Sequence, residues 1–405
     1  MSQTRFTVKP GESTTIDIAY SPSADGAFGF DLDVASNDAD EATYDIRVTG
    51  TADGTVKRRT KRIIANFLRR RADQLASNEP DLTGRLGSGP GGAGTMTGDG
   101  SLTTNRFAFA TSLRQMLGHQ GAGKAQVRHE LGRAMALRGY GATGGAAQPP
   151  NGFDVWISGR WSRVKNKATA NDIGLLYVGA DYRFGADLTV GLLGQFDWTD
   201  EKDRTLGYRI KGSGWMAGPY VAARLHDNLI FDARAAWGRS RNTVSPYATY
   251  SDDFDGGRWL VKGQFTGDFN YGSVRFAPHV GVLYLEESQK GYTDSRGNRI
   301  ERQSVALGRL TFGPKLSATY RTAGGTSVAP YVSLKGIWDF RRSDLVDIET
   351  GVASAGNDAL RGRAEAGLSV HLPNGMTLSG EGFYDGIGAG DYEAYGGNAK
   401  LSIPF

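Results

Sequence analysis

The sequence predicts an all-β chain built around an antiparallel, up-and-down transmembrane β-barrel of about twelve strands, preceded by a helical and flexible linker and a partial β-sandwich. Three observations carry this. No stretch approaches the roughly 18 to 20 apolar residues that a spanning helix needs, whereas barrel strands show lipid only at every second residue and read as weakly hydrophobic, which fits a mean hydropathy of −0.39. Glycine supplies 58 of the 405 residues, about double its usual share. From Phe153 onward, period-two segments bounded by Gly, Asp and Asn turns follow one another with no helical period between them.

Residues 1–52 read as the end of a small β-sandwich. Short strand-like runs, Arg5 to Val8, Thr14 to Tyr20, Phe28 to Val34 and Tyr44 to Thr49, are separated by Pro10-Gly11, Asp25-Gly26 and Ser36-Asn37-Asp38 turn signals. The run Phe28 to Tyr44 and the closing Val48-Thr-Gly-Thr-Ala resemble the end of immunoglobulin-like repeats of large bacterial surface proteins. Asn37 to Glu41 crowds oxygen ligands of the calcium-binding type, with a solvated acidic loop as the plainer reading.

Residues 53–150 read as linker. Ile64, Phe67, Leu68 and Leu75 fall at helical spacing within Val56 to Ala76, and Pro80-Asp81 marks a break. The polar face carries Lys57, Arg58, Arg59, Lys61, Arg62, Arg69, Arg70 and Arg71, a charge run suited to anionic headgroups, to an acidic barrel lumen, or simply to solvent. Gly87 to Gly100 reads as a flexible stretch, Leu102 to Leu117 as a modest segment, and Gln126 to Leu137 as a second helix with Val127, Leu131, Ala134 and Leu137 in phase.

Residues 151–405 read as the barrel, in segments near Phe153 to Val164, Asp172 to Phe184, Leu188 to Trp198, Gly214 to Leu225, Leu229 to Arg239, Trp259 to Tyr271, Ser273 to Leu285, Ser304 to Tyr320, Val328 to Phe340, Leu360 to Leu372, Met376 to Tyr384 and Tyr392 to Phe405. Leu229, Phe231, Ala233, Ala235 and Trp237 alternate with Asp232 and Arg234, and Leu360, Ala364, Ala366 and Leu368 with Arg361, Arg363 and Glu365. A lipid-facing Arg costs about 2 to 4 kcal/mol at the bilayer midplane, so the charged face, with Arg234, Arg361, Arg363, Glu365 and Lys400, is assigned to the lumen. Trp156, Trp161, Trp198, Trp237, Trp259 and Trp338 are assigned to the membrane interfaces, where amphipathic rings favour the headgroup region. His226-Asp-Asn and Pro373-Asn-Gly suit short turns on one side, and Ser288 to Gln303 and Arg341 to Asp358 suit long loops on the other.

The final run places Tyr395, Gly397, Ala399, Leu401, Ile403 and Phe405 on one face. It resembles the terminal signature of outer-membrane barrels, which implies recognition by the barrel-assembly machinery. A barrel of this size behind a linker, a helix and a surface-type β-domain resembles the autotransporter family of type V secretion. That resemblance implies a Gram-negative outer membrane, a lipid environment, export or anchoring of the chain's own N-terminal passenger at the cell surface, and a segment threading the pore. By analogy the pore segment is drawn from about Lys124 to Pro150, directly before the first strand, while the stronger helix lies upstream at Val56 to Ala76. Some family members cut themselves at an Asn-Asn step; this chain contains none, so the passenger is expected to stay attached. The start, Met1-Ser-Gln-Thr-Arg-Phe, lacks the pattern of a secretory signal and is expected to belong to a fragment of a longer exported protein.

Other classes are disfavoured. Cysteine is absent, which excludes a disulfide framework and thiolate metal sites. The net charge of +4 is spread along the chain apart from the one helical cluster, so no nucleic-acid partner is expected. His119, His129, His226, His279 and His371 show no metal-ligand spacing and no Gly-x-Ser-x-Gly elbow accompanies them, so neither catalysis nor a cofactor is expected. A stand-alone porin or adhesin barrel is the main alternative; it predicts an open pore.

Overall fold

The computed structural model describes residues 26–35, 43–52, 54–80, 82–86, 98–101, 105–112, 152–165, 169–352, 360–373, 377–389 and 394–402. The predicted strands before Asp25, the acidic run Asn37 to Glu41, the helix predicted at Gln126 to Leu137, the pore segment drawn from Lys124 to Pro150, His119, His129, Ile403 and Phe405 lie outside them. The chain forms two compact units, 1–58 and 59–405.

In the first unit β1 (Gly26–Ala35) and β2 (Thr43–Ala52) pair antiparallel, with Phe30 opposite Val48 and Leu32 opposite Ile46. Helix α1 (Thr55–Ser77) follows, then a short 3-10 turn, Thr83–Arg85.

The second unit is a closed antiparallel barrel. Its wall runs β3 (Gly98–Ser101), β4 (Asn105–Ser112), β5 (Phe153–Lys165), β6 (Thr169–Phe184), β7 (Leu188–Asp203), β8 (Tyr208–His226), β9 (Leu229–Ser245), β10 (Asp252–Gly267) with β11 (Phe269–Tyr271), then β12 (Val274–Phe276) with β13 (His279–Gln289). A small hairpin, β14 (Tyr292–Thr293) and β15 (Arg299–Ile300), stands apart in the following loop. The wall resumes with β16 (Gln303–Gly313), β17 (Lys315–Ala318) and β18 (Tyr320–Arg321) as one broken stave, then β19 (Ser327–Arg342), β20 (Leu360–His371), β21 (Thr377–Ile387) and β22 (Ala394–Ser402). The breaks fall at Asp268, Ala277-Pro278 and Pro314, and a proline cannot donate to the ladder.

From Phe153 onward twelve staves occupy the twelve predicted segments, but two further strands join the wall. Residues 98–100, read from composition as flexible linker, pair with β22, with Gly100 opposite Ala399 and Gly98 opposite Leu401. β4 pairs with β5 from Asn105 opposite Arg163 to Ser112 opposite Trp156. An open edge between β22 and β5 would leave backbone groups unpaired in hydrocarbon, at several kcal/mol each, and β3 and β4 close it. Several predicted segments are also too short: β7 continues past Trp198 to Asp203, β8 begins at Tyr208, β9 continues past Arg239 to Ser245, and β10 begins at Asp252. The charged residues that suggested loops there project inward on every second position, where Glu201 and Asp203 are buried.

The alternation is that of a barrel in lipid. On β9, Leu229 and Trp237 are exposed outward, while Ile230, Asp232, Arg234 and Ala236 are buried inward. On β7 the outward apolar face runs from Leu188 to Trp198 before Asp200. Ten residue steps span about 33 Å along the strand, or about 25 Å of height at a tilt of about 40°, which is the height of an outer-membrane apolar band. Charge begins directly beyond Trp198 and Trp237, at Asp200 and Arg239, and Tyr182, Phe184, Tyr271 and Tyr320 are exposed toward the opposite margin.

Trp161, Trp198, Trp237, Trp259 and Trp338 are thus exposed on the outer wall. Trp156 is not among them: it is 7% exposed, faces inward, and donates from Nε1 to the Tyr220 hydroxyl at 2.9 Å. Trp156 and Trp161 are five residues apart on one strand, and an odd separation puts them on opposite faces. Asp227-Asn228 is a short turn at one end of the barrel, with 246–251, 290–302 and 343–352 at the other.

This belt yields a prediction. Val261→Arg, outward on β10, should lower the stability of the barrel in lipid vesicles by about 2 to 4 kcal/mol, read by urea titration of folded protein. An unchanged midpoint would mean that Val261 does not face hydrocarbon.

Candidate functional site

The pore is occupied by the upstream helix α1. α1 enters at the long-loop end, where Arg59 donates to the Pro246 carbonyl at 3.2 Å and to that of Leu206, and Lys61 meets Glu301 at 3.2 Å. The chain leaves at the short-turn end, where the Tyr177 hydroxyl donates to the Asn78 carbonyl at 3.0 Å and Arg85 bridges Asp154 and Asp181 at 2.7 and 2.8 Å.

The helical period explains the fit. Ile63, Ile64, Phe67, Leu68, Ala72 and Leu75 are all fully buried. The first four pack with Tyr208, Ile210, Val244, Phe254, Ile300 and Ile348 toward the long-loop end, and the last two with Leu193, Met216, Leu260 and Leu285 deeper in the barrel. Each of the Ile, Leu and Phe side chains contributes about 1.5 to 3 kcal/mol on full burial.

Charge fixes the rotation of the helix. Fully buried Arg71 donates from Nε to Asp197 at 2.7 Å and from Nη1 to Asn242 Oδ1 at 2.8 Å, and stands 3.5 Å from Glu287. Arg258 joins Asp197 from the wall, and the Ser240 hydroxyl donates to Glu287 at 2.5 Å. Two arginines therefore neutralise two carboxylates away from water, the condition under which buried charge is tolerated. Gly212 and Gly214 make the room: a Cβ at Gly214 would lie 2.5 Å from Arg258 and 2.8 Å from Arg71.

Two more ionic stations lie toward the helix C-terminus. Arg309 reaches Asp73 at 2.5 Å, Ser77 at 2.9 Å and Asp339 at 2.6 Å, and Asp339 links to Arg361, which donates to Asp385 at 3.0 Å. Arg234 lies 3.3 Å from Glu79 and donates to Gln195 at 2.7 Å. Of the residues predicted to line the lumen, Arg234 and Arg361 thus hold the plug network. Arg363 and Glu365 pair with each other at 2.7 Å, and Lys335 donates to Glu365 at 3.0 Å. Lys400 is in β22, in register between Ser379 and Asp99. Of the terminal signature, Tyr395 is 69% exposed, and Ala399 and Leu401 are strand positions of β22. Composition alone missed the acidic half of the site, Asp197, Glu201, Glu287 and Asp339.

The loop over the long-loop end grips the helix through its backbone. Arg62 donates to the carbonyls of Ile348, Glu349 and Thr350 at 3.1, 2.7 and 3.3 Å. Asn66 exchanges hydrogen bonds with Val346, and Arg69 donates to Ser343 at 2.9 Å. Asp347 organises that loop. Its carboxylate accepts from the Thr350 backbone at 2.6 Å, the Thr350 hydroxyl at 2.8 Å and the Glu349 backbone at 3.1 Å, and these bonds hold it below its ordinary value. Among the described residues, no group of three or more His, Asp or Glu side chains is placed to hold a metal ion.

Residues 151–382, more than half of the chain, match the family model described as the autotransporter beta-domain. The chain belongs to this family. Autotransporter β-domains are outer-membrane barrels that export a passenger. Among solved structures, the β-domain of the Bordetella autotransporter BrkA is 20% identical, covering 63% of this chain and 100% of that one, with a TM-score of 0.45. The translocator domain of the autotransporter NalP from Neisseria meningitidis is 13% identical over 70% of this chain and 100% of that one, with a TM-score of 0.40. The transport unit of the autotransporter AIDA-I from Escherichia coli is 12% identical over 69% and 98%, with a TM-score of 0.41. No curated protein matches the chain.

Two expectations follow for this autotransporter. Arg71→Met leaves Glu287 without its cation and should destabilise the folded chain by about 3 to 5 kcal/mol, with part of the loss recovered on adding Glu287→Gln; a single variant as stable as the parent in urea titration would refute the buried network. Because the Asp347 pKa is depressed on folding, its contribution is complete above the ordinary value of 3.8 and is lost as pH falls below it. Amide exchange of Glu349 and Thr350 should therefore rise relative to the intrinsic rate as pH falls below 3.8, and Asp347→Asn should remove that dependence.

Proposed function

We propose that this translocator is also a permanent anchor: after export, α1 remains in the pore, seals it, and holds the passenger at the cell surface without chemistry of its own. The observation that carries this reading is Arg71, buried on the helix and neutralised by acids from the barrel wall. A helix tied by three ionic stations and two apolar clusters resists withdrawal, and the sequence offers no Asn-Asn step for release. The long-loop end is assigned to the outside of a Gram-negative cell and the short-turn end to the periplasm, the usual disposition of such barrels. The outer tryptophans Trp161, Trp198, Trp237, Trp259 and Trp338 are assigned to the headgroup region. The outward face of β22, with Tyr395, Ala399 and Leu401, is assigned to recognition by the barrel-assembly machinery.

Single-channel conductance in planar bilayers tests the seal. The full chain should conduct weakly, and removal of residues 1–86 should raise conductance sharply. Large conductance in both would favour a stand-alone porin and overturn the anchoring role.

A further inference from the structure

We propose that the outer surface of β5 to β9 binds the phosphorylated sugar headgroup of an outer-leaflet glycolipid. The proposal rests on the outer-membrane placement above. Trp161, Gly174, Trp198, Ser213 and Arg241 stand in one register row across these five strands. Gly174 has no side chain between the two indoles, and a Cβ there would lie 3.3 Å from Trp198 and 3.8 Å from Trp161. The rings therefore flank an open groove of about 600 Å³ on the barrel exterior, whose upper rim is Asp172, Asp200 and Lys211.

The position of the groove decides its ligand. It lies where the outward apolar face of β7 and β9 ends, at the depth of lipid headgroups. Lys211 and Arg239 are exposed and form no ion pair or hydrogen bond among the described residues; the Arg241 side chain is 80% exposed, 3.7 Å from Asp255, whose side chain is 54% exposed. Asp200 is already occupied by Arg209. Loosely held cations beside exposed indoles match a phosphate attached to a sugar: the cations take the phosphate, and the ring faces cover the apolar face of the sugar. On β13, beside Trp259, the outward side chain is instead Glu286.

The test uses the full chain folded in a zwitterionic detergent, titrated with purified lipopolysaccharide, phosphatidylglycerol or inorganic phosphate, and followed by tryptophan fluorescence. Folding of each variant is checked by the mobility of unheated samples in gels, and insertion into vesicles checks the membrane placement independently. Lipopolysaccharide should bind saturably, at least about thirtyfold more weakly to Lys211→Glu with Arg241→Glu, more weakly to Trp198→Ala, and unchanged to Trp338→Ala on the far wall. Undiminished binding by the folded charge-reversed and Trp198→Ala variants would overturn the site. Equal affinity for phosphatidylglycerol would overturn the sugar component, and saturation by inorganic phosphate alone would reduce it to a free-anion site.

Discussion

A strand in hydrocarbon has no water to satisfy its N–H and C=O groups, and every other feature of this autotransporter follows from meeting that demand by closure. Closure turns the usual protein inside out. Leu192, Trp237 and Val261 face outward because lipid is there, and Asp197, Arg258 and Glu287 face inward because it is not. The charged lumen then requires a partner, since buried acids without cations are costly. The wall supplies some of those cations, Arg258 and Arg309 among them, and the helix supplies Arg71 and Arg70, the latter on Glu201 at 2.7 Å.

The helix accordingly has two surfaces facing the same container. Its apolar residues meet inward Ile, Leu and Tyr side chains, and its arginines meet inward acids. A uniformly apolar helix would leave Asp197 and Glu287 stranded, and a uniformly basic one would forfeit the contacts of Phe67 and Leu75. The mixture looks like a poor amphipathic helix in isolation and is a good match to this lumen.

Much of this was legible in the sequence. The period-two segments from Phe153 to Ser402 located twelve staves, and the 3.6-residue spacing of Ile64, Phe67, Leu68 and Leu75 located the helix. What was misread was mostly parity. Trp156 and Trp161 cannot both face lipid on one unbulged strand, and counting the intervening residues reveals it. The same count identifies the lumen acids: Asp197 lies between Phe196 and Trp198, and Asp339 between Trp338 and Phe340, so an outward aromatic on each side turns the carboxylate inward. The upper halves of β7 and β8 were mistaken for loops because charge was read as solvent exposure. β3 was hidden by glycine-rich composition and β4 by the shortness of its segment, and only the unpaired edges of β5 and β22 give them a place. The choice of pore segment depended on contacts more than 100 residues apart, such as Arg71 with Asp197, which no local pattern contains.

The grip of Arg62, Asn66 and Arg69 on the loop at 343–352 is directed largely at main-chain groups. Main-chain carbonyls are the same in every residue, so this clasp reads the path of the loop and ignores most of its side chains. This loop is therefore free to change its chemical face, substitution by substitution. Only the residues that set its path, such as Asp347 and Thr350, are held to their identities by the need to keep the helix in place.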